Sequence, residues 1–316
     1  MRRTMRVSVI SHSLVADRQR LFFKYLGMQP GIQVQLLYPN QWMGRTYPGG
    51  YPIFGDGQIF NWTFAERQVF PLLEAFKPDI IYVQEEYASR ALKQASEWAT
   101  RLRCKLVVFV WENLRKPPVP KVEPNLVIAG NEEAKVLHNA DKILAQVGVG
   151  TEFRLAPPTW AERGADIVFA AGKHTPEKGY PLFNKLPFIK HQSDGFAPYL
   201  ELPLRVYWRG KVVVTPSLDT PLWKEQFAPY CNVEALMCGC YVVTSDSAAI
   251  REWLDGHPGV MLCRQNDLAA FEEAVKYSLA KYENEGDNRD GSHRAIQRFG
   301  SHTISDDLIR AFTEIM

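Results

Sequence analysis

Short runs of β-branched and apolar residues alternate along this chain with longer amphipathic stretches. A parallel sheet covered by helices is the architecture that such alternation favours. A strand buried on both faces reads as a near-continuous apolar run, and Lys105-Leu106-Val107-Val108-Phe109-Val110 is of that kind. Ahead of it, strands are expected over Arg6–Ile10, Val34–Tyr38 and Asp79–Val83, with helical sequence from about Val15 to Leu26. Asn125–Ala129 and Lys142–Val147 follow as strands around a helix starting near Asn131. An Asn cap and Glu132-Glu133 in the first turn suit the donors and the positive end of that helix.

The alternation restarts at Asp166–Ala170 and continues through Lys211–Thr215, Tyr241–Thr244 and Gly259–Leu262. A helix is expected over Asp267–Tyr282, a polar turn at Asn284–Gly291, and a closing amphipathic segment over Ile304–Ile315. With 316 residues the chain can bury two cores. The reading is α/β, two Rossmann-like domains in tandem, with residues 1–155 as the first and 156–316 as the second. The Pro-rich stretch Ala156-Pro157-Pro158 is the natural linker, and the last helix, about 303–316, is a candidate to pack back on the first domain. Tandem sheets of this kind place a ligand cleft between domains, at the carboxyl ends of the strands.

Composition narrows the function classes. The net charge is +2, so no bulk field argues for nucleic acid as the partner. Hydrophobic residues at 46% and charged residues at 23% fit a globular protein. No stretch has the apolar length needed to span a bilayer, and the basic start Met1–Arg6 is followed by a run broken by Ser8, Ser11, His12 and Ser13, unlike a signal peptide. Five cysteines without framework spacing fit a reducing cytoplasm. Cys238-Gly239-Cys240 lacks a second Cys/His pair at zinc-like spacing, so buried thiols are the simpler reading and no metal site is expected.

One segment breaks the alternation. Tyr38 to Phe64 carries Trp42, Tyr47, Tyr51, Phe54, Phe60 and Trp62 among glycines and prolines. Such a loop is either an acceptor-binding surface, with Trp42 and Trp62 as stacking candidates, or a cover packed on its own domain by its aromatics.

The chemistry concentrates further on. Thr215-Pro216-Ser217, then Trp223-Lys224-Glu225-Gln226-Phe227, then Val233-Glu234-Ala235-Leu236-Met237-Cys238-Gly239, then Val242-Val243-Thr244-Ser245-Asp246 resembles the donor-site signature of retaining GT-B glycosyltransferases, most closely glycosyltransferase family four (glycosyl transferases group one). The basic loop Gly172–Gly179, the segments Pro78–Gln84, Trp111-Glu112-Asn113 and Ile128–Glu133, and the turn Gln146–Phe153 also look like that family.

The resemblance implies a hexosyltransferase that uses a nucleotide-diphosphate sugar as donor, retains anomeric configuration, and needs neither metal nor cofactor. Its acceptor is saccharide, lipid-linked or a small molecule. A cytoplasmic location is implied, with peripheral membrane contact left open. Breaking the anomeric C–O bond builds negative charge on the departing diphosphate, which fixed cations stabilise. Lys178 and Lys173 hold that place in the motif, although the family usually has arginine at the latter. Lys178 before Gly179 also reads as a solvated turn residue. Glu225 matches the family's first glutamate, which contacts the donor sugar. Glu234 is expected to open a helix and accept from the ribose hydroxyls, and its plain alternative is a charge on the helix dipole. Gly172, Phe227, Tyr230 and Asn232 are donor-side candidates. His12, at the carboxyl end of the first strand, is a donor-side candidate or a loop residue. Glu85 and Glu86 are acceptor-side candidates or solvated loop carboxylates.

Three departures stand out. Eight residues separate Glu225 from Glu234, one more than the family's spacing. Ala228 stands where the family has glycine. Only 35 residues, Tyr180 to Val214, fill a stretch where the family fits extra β-α-β crossovers, so the second domain is expected to be shortened. A base pocket would then be rebuilt from Phe188, Phe196, Tyr199 and Trp208. Alternatives are a non-catalytic nucleotide-sugar-binding partner subunit, a GT-B-type sugar-nucleotide epimerase, or a phosphorylase lacking its pyridoxal-phosphate lysine context.

Overall fold

The computed structural model describes residues 3–55, 60–114, 122–150, 153, 163–193 and 197–316. Among these the chain forms two compact units, Met1–Gly148 with Ile304–Met316, and Val149–Thr303. The expected linker Ala156–Pro158, the turn residues Thr151 and Glu152, and Phe196 lie outside the described residues.

The first unit is built on the strands β1 (Met5–Ile10), β2 (Ile32–Leu37), two short hairpins β3 (Gln41–Trp42) with β4 (Arg45–Thr46) and β5 (Ile53–Phe54) with β6 (Thr63–Phe64), then β7 (Ile80–Gln84), β8 (Lys105–Val110), β9 (Leu126–Ala129) and β10 (Lys142–Ile143). Its main sheet runs β10-β9-β8-β7-β1-β2, all parallel. The helices α1 (Asp17–Gly27), α2 (Glu66–Phe76), α3 (Arg90–Leu102) and α4 (Glu132–His138) connect these strands. Every residue of β7 is buried, as a strand covered on both faces requires. Asn131 caps α4 through its side chain, which accepts from the Ala134 N–H, with Glu132 and Glu133 in the first turn.

The second unit holds β11 (Ala165–Phe169), α5 (Tyr180–Lys185), β12 (Lys190–Gln192), α6 (Leu202–Arg205), β13 (Gly210–Thr215), α7 (Tyr230–Met237), β14 (Tyr241–Ser245), α8 (Ala248–Leu254), β15 (Val260–Cys263), α9 (Leu268–Glu285) and α10 (Arg289–Phe299). Its parallel sheet runs β12-β11-β13-β14-β15. Tyr180–Val214 contributes a single helix–strand step, α5 into β12, and a short helical return to β13, which is why this half is the smaller Rossmann-like layer. The polar stretch read as a turn at Asn284–Gly291 instead starts α10, because the Asn288 side chain accepts from the Gly291 N–H and caps it. The chain then continues in α11 (Ser301–Thr313). From Ile304 onward it packs with the first unit, with Phe312 edge-on to Tyr82 at 5.3 Å and Lys142 paired to Glu314 at 2.5 Å.

A buried cation ties the second unit together. The Arg163 guanidinium donates to the carbonyls of Tyr207, Gly210 and Cys238 at 2.8, 2.8 and 2.6 Å, meets Cys240 Sγ at 3.1 Å, and pairs with Asp287 at 2.8 Å. A charge this deep persists only when nearly all its donors are used. No helix among the described residues is long and apolar enough to cross a membrane.

Candidate functional site

Strand order reverses at one place in each sheet, between β1 and β7 in the first and between β11 and β13 in the second. Connections leaving the two strands at such a point diverge to opposite faces, which opens a crevice at the carboxyl edge where ligands of open α/β sheets bind. The residues singled out from the sequence cluster at these two places.

In the second unit the loop after β11 is forced against the end of β13. Gly179 has φ +72°, and a Cβ there would stand 1.8 Å from the Pro216 carbonyl oxygen. Only glycine meets both conditions. The Leu218 N–H donates to the Glu177 carbonyl at 2.8 Å, which fixes the loop on the far side of the same proline. Lys178 is thereby carried to Glu225, with Nζ 3.0 Å from Oε1, and its ammonium lies 4.5 Å from the Trp223 ring centre. Glu225 is buried, and burial raises its carboxyl above the usual range, while the Lys178 charge pulls it back down. Lys178 is therefore a paired, half-buried cation and not a solvated turn residue. Gly172 and Lys173 sit exposed in the same loop.

Helix α7 begins at Tyr230 behind Pro229, so Glu234 is its fifth residue and does not open it. The extra residue between the two glutamates falls where Pro229 fixes the helix start, and this pushes Glu234 into the helix body. There it is fully buried, and its Oε2 accepts from the Tyr207 hydroxyl at 2.5 Å. Asn232 is also fully buried. Its Oδ1 accepts from Thr215 Oγ1 at 2.8 Å and its Nδ2 donates to Thr244 Oγ1 at 3.2 Å, which joins the carboxyl ends of β13 and β14. Phe227 packs on Tyr230 and Trp253, both at 4.9 Å, and so stiffens the approach to α7. Of the residues proposed for the base pocket, Tyr199 is buried against Phe153 at 5.0 Å.

In the first unit, His12 follows β1 and Glu85 follows β7, on the two sides of the switch point. Glu85 Oε1 accepts from the His12 backbone N–H at 2.6 Å and lies 2.8 Å from its Nδ1. The imidazole stacks on Trp42 at 4.9 Å, and Trp111 meets it edge-on at 6.0 Å. Glu85 and Glu86 are not solvated: they are 0% and 4% exposed. Burial pushes the Glu86 carboxyl up to about 8, against the pull of the Trp111 and Glu112 backbone N–H groups that it accepts from at 3.1 and 3.0 Å. The aromatic segment covers its own unit. Trp62 is fully buried and packs edge-on to Trp42 and Phe64 at 5.8 and 5.0 Å, so it presents no stacking face to an acceptor. Its neighbours Phe54 and Phe60 are the exposed rings.

Tyr207 and Trp111 escaped the sequence reading as site residues. Tyr207 stands 27 positions from Glu234, and no motif ties them. Trp111 was quoted only as part of the family-like segment. Cys238 and Cys240 are buried thiols, and among the described residues no group of three or more His, Cys, Asp or Glu is placed to hold a metal ion.

Comparison with known proteins agrees with this geometry. Residues 189–281, which include Glu225 and Glu234, match the family model of glycosyl transferases group 1. No curated protein sequence matches the chain. Among solved structures, a glycosyltransferase from Rickettsia africae aligns over 100% of this chain and 99% of its own, at 13% identity and a TM-score of 0.70. Anabaena HepE in complex with UDP-glucose aligns over 98% and 100%, at 14% identity and 0.65. Sucrose-phosphate synthase from Thermosynechococcus elongatus aligns over 98% and 99%, at 13% identity and 0.63. Likeness at these identities shows the fold, which is GT-B, and with the group 1 match it supports a GT-B glycosyltransferase.

Proposed function

We propose that this chain transfers a sugar from a nucleoside diphosphate sugar to an acceptor hydroxyl, with retention of configuration and without a metal ion or cofactor. The observation that carries the reading is the Lys178–Glu225 pair, 3.0 Å apart at the switch point of the second sheet. A cation and a carboxylate side by side suit the two charges that such a reaction develops, negative on the departing diphosphate and positive on the sugar ring. In this reading Lys178, with Lys173 from the same loop, faces the diphosphate, and Glu225 faces the sugar. Gly172, Phe227, Tyr230 and Asn232 shape the donor pocket, and Glu234 holds the ribose once Tyr207 yields its place. Retention follows from the family resemblance. The titles of the HepE structures name UDP, UDP-glucose and glucose, which favours a uridine donor and a saccharide acceptor here. A cytoplasmic enzyme, soluble or peripheral to a membrane, fits this chemistry.

Calorimetry with a panel of nucleoside diphosphates and their sugars, without added metal, tests the proposal. Selective binding of one base, weakened in Lys178→Ala, is expected. A flat panel would transfer the weight to a non-catalytic partner subunit.

A further inference from the structure

We propose that His12 is the base that receives the proton of the acceptor hydroxyl, and that Glu85 is the residue that orients it. This rests on the transferase reading above but not on its stereochemistry, because a hydroxyl nucleophile has one proton to lose whichever face of the anomeric carbon it attacks.

The geometry is that of a positioned base. Glu85 Oε1 takes both the backbone N–H and the ring Nδ1 of His12, at 2.6 and 2.8 Å, so the residue is gripped at two points. A proton on Nδ1 shared with a carboxylate leaves the lone pair on Nε2, at the far end of the ring. Trp42 stacks on one face at 4.9 Å and 25°, which sets the ring plane. The burial of the pair is graded. The Glu85 side chain is 0% exposed and cannot meet a substrate, whereas the His12 side chain keeps 12% of its surface. Among the described residues Nε2 meets no hydrogen-bond partner, and neither does the buried Glu85 Oε2. A buried carboxylate with an unused oxygen is costly until a cation forms beside it, and a proton arriving on Nε2 makes that cation. The pair also flanks the switch point of the first sheet, where a ligand is expected on topology alone.

The step balances as follows. The acceptor O–H proton passes to Nε2, and the oxygen's electron pair forms the new bond to the anomeric carbon. The bond from that carbon to the diphosphate breaks, and its electrons leave on the diphosphate. The imidazolium left behind is held by Glu85 and later returns its proton to water. The competing receiver is the departing diphosphate oxygen, which would make turnover indifferent to His12.

Two measurements decide between them. In the first, the full chain carrying 15N-labelled histidine is examined by long-range imidazole 15N–1H correlation, with His12 assigned through His12→Asn. The neutral Nδ1–H form is expected, altered in Glu85→Gln. An Nε2–H form, or a signal indifferent to Glu85→Gln, overturns the proposal. In the second, UDP release from UDP-glucose with water as acceptor is followed alongside UDP affinity. His12→Asn is expected to lose at least ~100-fold in turnover, the usual scale of general base catalysis, with UDP affinity kept. Unchanged turnover overturns the proposal. A wild-type chain that neither binds UDP nor releases it counts against the transferase reading, and the imidazole spectrum still decides the base.

Discussion

Lys178 Nζ lies 3.0 Å from Glu225 Oε1, and Gly179, immediately after Lys178, leaves no room for a Cβ beneath the Pro216 carbonyl. The ion pair is thus set by backbone packing and not by two flexible side chains finding each other.

Removing either charge should have distinct effects. Lys178→Ala takes a cation from the diphosphate and should lower nucleoside diphosphate affinity and turnover by at least ~tenfold. Glu225→Gln should depress turnover more than binding. Steady-state kinetics beside calorimetry would separate the two, and the reverse pattern would mean that the glutamate serves the nucleotide.

Gly179→Ala should mimic Lys178→Ala although no charge is lost. A side chain at φ +72° is strained, and the 1.8 Å approach to Pro216 must open. Expected are a fall in turnover of at least ~tenfold and a lower unfolding midpoint. An alanine variant with wild-type kinetics would show that the loop tolerates displacement.

Tyr207→Phe and Glu234→Ala divide structure from binding at the same contact. Loss of the Tyr207 hydroxyl should cost about 1–3 kcal/mol of stability, as for a hydrogen bond to a charged group, and leave UDP binding within ~threefold. Glu234→Ala should destabilise similarly and also abolish binding. Equal effects of both on a UDP titration would confine Glu234 to the scaffold.

The Glu86 carboxyl gives a pH signature. Its value rises from an ordinary 4.5 to about 8 in the fold, so the native state holds a proton that the unfolded chain releases between those values. Stability from this group is complete below pH 4.5, declines as pH climbs toward 8, and does so by at most ~1.4 kcal/mol per unit. Glu86→Gln, which imitates the protonated form, should flatten the fall in melting temperature from pH 5 to 8. An identical slope in wild type and variant would place the carboxyl elsewhere on the scale.

Much of this was legible locally. The Asn131 cap and the apolar strand at Lys105–Val110 announce themselves within a few residues, because hydrogen bonds to near neighbours and two-sided burial leave a contiguous trace. Lys178 and Glu225 were each visible in their motifs, but their pairing spans 47 positions and depends on Gly179 fitting under Pro216. His12 and Glu85, 73 positions apart, meet only because β1 and β7 lie side by side. Helix α10 was misread because Asp290-Gly291-Ser292 has turn composition, and the Asn288 cap outweighs it. Glu234 looked like a helix opener because the motif carries no sign that Pro229 has moved the start.

Arg163 has a practical consequence for anyone dissecting the molecule. Its guanidinium gathers the Tyr207, Gly210 and Cys238 carbonyls, yet it stands ahead of β11, the first strand of its sheet. A separately expressed nucleotide-side half that starts at the strand would omit this residue. Three buried carbonyls and Asp287 would be left without their donor, and the fragment would be judged unstable for want of one side chain.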